Sequence, residues 1–246
     1  MAFWEYALLF LTSLSGGAMA FFFKKIPRVQ LKNILAFSGA YILGIVVLHL
    51  LGDVYGSGFT GAGKWILVGF FIQLLLDFLS KGIEHGHVHA NDPEHSSGRF
   101  FLVQIMLGLC LHAFFEGLPL GGHAVFHDFH EHSERPNGLL IGIVLHETPA
   151  SFTLASLLIL SNFRTKTVWL CLIFKAMMAP AGALAAGFLS LDHDSLAVLT
   201  SVVIGLFLHI ATTILFEADS SSHHRMAWPR LLAIAGGVGL AWLTVG

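Results

Sequence analysis

Long apolar runs alternate with short polar or Gly/Pro-rich breaks along the whole chain. Eight runs stand out, at about 3–23, 33–54, 64–83, 101–122, 138–160, 167–189, 195–217 and 228–246. Each is close to the roughly 20 apolar residues that a helix needs to cross the hydrocarbon layer. Breaks such as Lys24-Lys25-Ile26-Pro27-Arg28 and Glu134-Arg135-Pro136-Asn137-Gly138 separate them. Closed β-barrels also span membranes, but their strands are alternating segments of about ten residues. The runs here are about twice that length and apolar on both phases. The pattern predicts an all-α integral membrane protein: eight transmembrane helices in a bundle, forming one domain over residues 1–246.

Composition agrees and narrows the function. The chain is 55% hydrophobic and 11% charged, about half the charge of a soluble domain. With 13 Lys+Arg against 15 Asp+Glu, it lacks the basic face of a nucleic-acid binder. Its hydrophobicity excludes disorder. Cys110 and Cys171 both lie inside apolar runs, which excludes a disulfide framework and a cysteine zinc finger. Basic residues give the orientation, because Lys and Arg stay cytoplasmic. Loops 1, 3, 5 and 7 carry Lys24, Lys25, Arg28, Lys32, Lys81, Arg99, Arg164, Lys166, Arg225 and Arg230, whereas loops 2, 4 and 6 carry only Lys64 and Arg135. Both termini are therefore expected to face outward. Residues 1–23 do not read as a signal peptide, since Glu5 stands where a basic residue belongs. That feature and the short loops suit a bacterial inner membrane.

Ionisable groups inside spans are costly and point to function. They are His49, Asp53, Asp77, His112, Glu116, His146, Glu147, Lys175, His209 and Glu217. His112 and Glu116, at i and i+4, share one helix face. The fifth span carries His146-Glu147-Thr148-Pro149. Imidazole with carboxylate is the ligand set of zinc and similar first-row ions. Pro119 and Pro149 each free a carbonyl one turn earlier, at Phe115 and Leu145. With a rise of about 1.5 Å per residue, His112, Glu116, His146 and Glu147 fall in one layer near mid-membrane. His49 and Asp53 fall near the outer mouth, and His209 lies towards the cytoplasm. The chain also has 15 histidines, many in two loops. The cytoplasmic loop 84–98 holds His85, His87, His89 and His95, and the outward loop 123–137 holds His123, His127, His130 and His132. Such tracts suit weak metal capture, although either could be a solvated connector.

At this point the chain resembles the ZIP family of divalent metal transporters. His112-Ala113-Phe114-Phe115-Glu116-Gly117 is similar to the family's His-Asn-x-x-Glu/Asp-Gly, and His146-Glu147-Thr148-Pro149 to its His-Glu-x-Pro. His49-Leu50-Leu51-Gly52-Asp53 resembles its His-Leu-Leu-Pro-Glu, and Pro180-Ala181-Gly182-Ala183 and Gly205-Leu206-Phe207-Leu208-His209 resemble its sixth- and seventh-span signatures. Three positions depart from the pattern: Ala113 replaces the usual Asn, Ala150 a His or Glu, and Ala179 a common carboxylate. Those positions help to build a two-metal centre in some members. The resemblance therefore implies one core ion here, held by His112, Glu116, His146 and Glu147. Lys175 is expected to reach towards Glu116 or Glu147 and stand in for a second cation. Its alternative is to snorkel to the interface.

The expected function is transport of a divalent ion towards the cytoplasm, with Zn2+ first and Fe2+, Mn2+ or Cd2+ as other cargoes. His49, Asp53 and the outer histidines would collect the ion, and His209 and the loop-3 histidines would receive it. No organic cofactor and no enzymatic activity are expected. The expected partners are the metal ion, the lipid bilayer and a second copy of the chain, with no nucleic acid. Rival readings are a membrane-embedded metalloenzyme and a ZIP-like metal sensor without flux.

Overall fold

The computed structural model describes residues 1–22, 28–80, 99–121, 137–188, 192–217 and 228–245. The described residues are helical almost throughout. The helices are α1 (Phe3–Phe22), α2 (Arg28–Ile45), α3 (Leu51–Gly56), α4 (Ala62–Ser80), α5 (Arg99–Gly121), α6 (Asn137–Leu160), α7 (Thr165–Ala176), α8 (Met178–Phe188), α9 (His193–Glu217) and α10 (Trp228–Val245). Seven of these rods are long and apolar enough to cross a membrane when α2 is joined to α3 and α7 to α8. The 18-residue α10 packs along α2. The protein is an integral, multi-pass membrane protein.

Two spans differ from the continuous helices that the apolar runs predict. The second starts at Arg28 and reaches Gly56, but Val46–Leu50 forms a π-helical turn. There the Leu51 N–H bonds the Val46 carbonyl, one residue further back than in an α-helix. The sixth span breaks at Met177. The cause is Pro180, which has no N–H for the Ala176 carbonyl; within the first turn of a new helix that lost donor is harmless. The chain therefore restarts at Met178.

Helix packing divides the spans into two sets. In one, α1 packs on α6 and α5 on α8; in the other, α2 packs on α10 and α4 on α9. The sets meet mainly where α4 lies against α5 and α2 against α6. Small residues let helices within a set approach backbone to backbone. At Gly117 of α5 and Gly182 of α8, an added Cβ would run into the carbonyl oxygens of Ala179 and Phe114 respectively. This contact fixes α5 beside the restarted helix α8. The seam between α2 and α6 is filled mostly by larger groups, with Ile42, Ile45, Val46, Leu139, Ile143 and Phe207 beside Gly142 around a small apolar void. Tyr41 is fully buried at this seam and donates to the Gly138 carbonyl at 3.0 Å. Its hydroxyl also lies 3.0 Å from Thr244 Oγ1, which ties α2, α6 and α10 together.

Candidate metal site

The α5 helix runs without interruption through Pro119 and carries His112 one turn before Glu116. Helical spacing sets both side chains on the same face, and His112 Nε2 lies 3.2 Å from Glu116 Oε1. Both are buried, at 2% and 1% exposure. From the facing helix α6 comes His146, fully buried, whose ring meets the His112 ring edge to face at 5.8 Å. One ligand atom from each of His112, Glu116 and His146 lies within 4.8 Å of the other two. Ligands about 2.0–2.1 Å from a tetrahedral zinc lie roughly 3.4 Å apart. The His112–Glu116 pair, at 3.2 Å, already has nearly that spacing, and no pair needs to close by more than roughly 1.4 Å to match it. Neither Glu116 oxygen accepts a hydrogen bond among the described residues. A buried carboxylate with open lone pairs is a strong ligand for a cation.

Glu147 is the next residue after His146 and so points about 100° away around α6. It leaves the three-residue group and faces Lys175 of α7, with which it forms a buried ion pair. Two serines complete this second nest. Ser151 donates to Glu147 Oε2 at 3.4 Å, and Lys175 Nζ donates to Ser151 Oγ at 3.1 Å. Ser13 Oγ of α1 lies 2.8 Å from Ser151 Oγ. The Lys175 side chain is 1% exposed, so its ammonium stays inside and does not snorkel. The layer of four expected from the sequence is thus two adjoining polar nests, one with an open carboxylate and one closed by an internal cation.

The remaining expected residues lie apart from this group. The His49 and Asp53 side chains are 3.5 Å apart where the π turn meets α3, and 29% and 20% exposed. His209 of α9 stands 3.8 Å from Asp77 Oδ2 of α4. Thr213 Oγ1 is 3.4 Å from its Nε2, and the Phe70 ring meets it edge to face at 4.9 Å. Asp77 is a partner that sequence reasoning flagged as an ionisable group in a span but did not pair. Gln73 was missed altogether, although it is fully buried and its Oε1 lies 3.1 Å from His112 Nδ1. The only available signal was an amide in the middle of an apolar run. The loop histidines His85, His87, His89, His95, His123, His127, His130 and His132 lie outside the described residues. The three alanines that depart from the motif are all buried.

Comparison with known proteins points the same way. The ZIP Zinc transporter family profile matches residues 83–244. Zinc transporter ZIP9 of Micropogonias undulatus is 29% identical over 178 residues, covering 67% of this chain and 54% of its own length. Zinc transporter ZIP9 of Xenopus tropicalis is 29% identical over 173 residues, 65% of this chain and 54% of its own. Zinc transporter ZIP9-B of Xenopus laevis is likewise 29% identical over 173 residues. The chain spans about half the length of these curated relatives. All three are vertebrate proteins, so they lend no support to the expected bacterial inner membrane.

Proposed function

Because this chain belongs to the ZIP zinc transporter family, we propose that it carries divalent transition-metal ions across the membrane, with Zn2+ as principal cargo and Fe2+, Mn2+ or Cd2+ as others. The observation that supports this most directly is the convergence of His112, Glu116 and His146 from two helices in the bundle interior, with both Glu116 oxygens open. An ion leaving water must find replacements for its shell, and two imidazoles with a carboxylate supply a zinc-like set. As this set is not a closed tetrahedral cage, one or more positions remain for water, and the ion is free to leave.

Glu147 contributes to the same layer in a different way. Its charge is neutralised by Lys175, so of the two carboxylates in this layer, Glu116 and Glu147, only Glu116 stands without a lysine or arginine beside it among the described residues. The centre accordingly takes one metal ion, and the Lys175 ammonium occupies the role of a second. His49 and Asp53 collect the ion at the outer mouth. His209, with Asp77 beside it, receives it on the cytoplasmic side, and the histidines of loops 84–98 and 123–137 capture it from either compartment. The loop charges orient the bundle in the membrane; the proposed direction of transport is inward to the cytoplasm, with the eight helices acting as one transport domain.

The test is zinc-65 uptake into liposomes containing the purified protein, against empty liposomes and a His112→Ala, His146→Ala double variant. Saturable uptake that the double variant loses is the expected result. Bound zinc with no flux in either protein would overturn the carrier reading in favour of a sensor.

A further inference from the structure

We infer that Gln73 is a positioning residue that decides which nitrogen of His112 faces the ion. The inference rests on reading His112, Glu116 and His146 as the ion's ligands. Gln73 lies on α4, which packs chiefly on α9 in the helix set that does not carry those ligands. Its surroundings along the chain are Ile72, Leu74, Leu75 and Leu76. A carboxamide buried at this depth needs a hydrogen-bond partner, and it has one in His112 Nδ1, 3.1 Å from Oε1.

With the amide turned so that Oε1 faces the ring, as it does here, the oxygen accepts and the proton belongs on Nδ1. A neutral imidazole has a single N–H, and Nε2 is then left with its lone pair outward. That nitrogen lies 3.2 Å from Glu116 Oε1. Two acceptors at such a distance repel one another unless a cation sits with them. With the proton on Nε2 instead, His112 would donate to Glu116 and the pair would satisfy itself without an ion. Gln73 thus converts a self-contained His–Glu hydrogen bond into a pair of ligands awaiting a cation. Partners that orient a ligating histidine typically change metal affinity by about 10–100-fold when removed. Gln73 also reaches the site from the opposite helix set, so His112 keeps this tautomer only while α4 and α5 hold their present register.

The experiment uses the full chain in liposomes, with Gln73→Met (similar in shape, no acceptor) and Gln73→Glu (acceptor retained). Solid-state 15N NMR of histidine-labelled, metal-free protein reads the tautomer, with the His112 signals assigned by difference from His112→Ala. Equilibrium zinc-65 binding reads affinity. In the wild type His112 should carry its proton on Nδ1. In Gln73→Met the proton moves to Nε2 and zinc affinity falls about 10–100-fold, while Gln73→Glu keeps the wild-type tautomer and recovers the affinity. Should Gln73→Met fail to fold, Gln73→Asn, whose amide is too short to reach Nδ1, carries the same expectation. An unchanged tautomer and affinity in the variant lacking the contact would overturn the inference. Wild-type zinc affinity in His112→Ala would instead remove the ligand reading beneath it, so the two failures are distinguishable.

Discussion

Changing Lys175 to Met removes one half of a buried ion pair and leaves the other half in place. The Lys175 and Glu147 side chains are 1% and 3% exposed. Without the ammonium, Glu147 keeps only serine hydroxyls, that of Ser151 at 3.4 Å and that of Ser13, which compensate a full negative charge poorly. Breaking a buried pair in this way costs about 3–5 kcal/mol. For a chain of this size, each kcal/mol moves the melting temperature by about 2–4 °C, so Tm should fall by roughly 6–20 °C. The double variant Lys175→Met, Glu147→Gln removes both charges and should melt near the wild type, because neutral replacement of a buried pair is often harmless. Zinc supplies the diagnostic. In the single variant Glu147 becomes a ligand without a cation, and equilibrium dialysis should count one more zinc per chain than in the wild type. At a free zinc concentration a hundred times its Kd, that ion would return about 2.7 kcal/mol. A single variant that melts with the wild type and binds no additional zinc would refute the view that Lys175 stands in for an ion.

Two other outcomes follow from the geometry. Zinc uptake should fall between pH 7.5 and 5.5, because imidazoles must be neutral to ligate and protons compete with the metal; a flat profile of zinc-65 flux would count against His112 and His146 as ligands. Gly117→Ala should destabilise the fold by about 1–3 kcal/mol, since its Cβ would strike the Ala179 carbonyl. Thermal unfolding in detergent reads that change, and an unaltered Tm would show that α5 and α8 do not pack as closely as described.

Much of this was legible in the sequence, for reasons that can be named. Apolar length alone locates the spans, and the spacing of His112 and Glu116 puts them on one face of α5. The separation of His146 from Glu147 was also available, because adjacent helical residues diverge by about 100°; depth along the axis placed the four residues together, but azimuth divides them. Pro180 carried the signal for the break at Met177, yet a Gly/Ala-rich apolar run masks a restart. The π turn at Val46–Leu50 leaves no mark, since Val-Val-Leu-His-Leu suits either helix. Pairings across the bundle were the least accessible. Asp77 with His209, and Gln73 with His112, join residues from different helices, and a neutral amide does not announce itself as an ionisable group does.

The π turn also bears on how this span should be compared with those of other chains. A helical turn closed one residue wide holds a residue that an α-helix would omit, so the segment between Ile45 and Asp53 behaves as if one position had been inserted. Every residue beyond it is rotated by one helical step relative to the axis of α2. A homologue lacking that residue would keep the contacts of Tyr41 and Ile42 unchanged and still bring an acidic side chain to the mouth, from a position numbered one earlier. In an alignment such a homologue calls for a single gap within Val46–Leu50; placed elsewhere, the gap would pair residues that face about 100° apart around the helix.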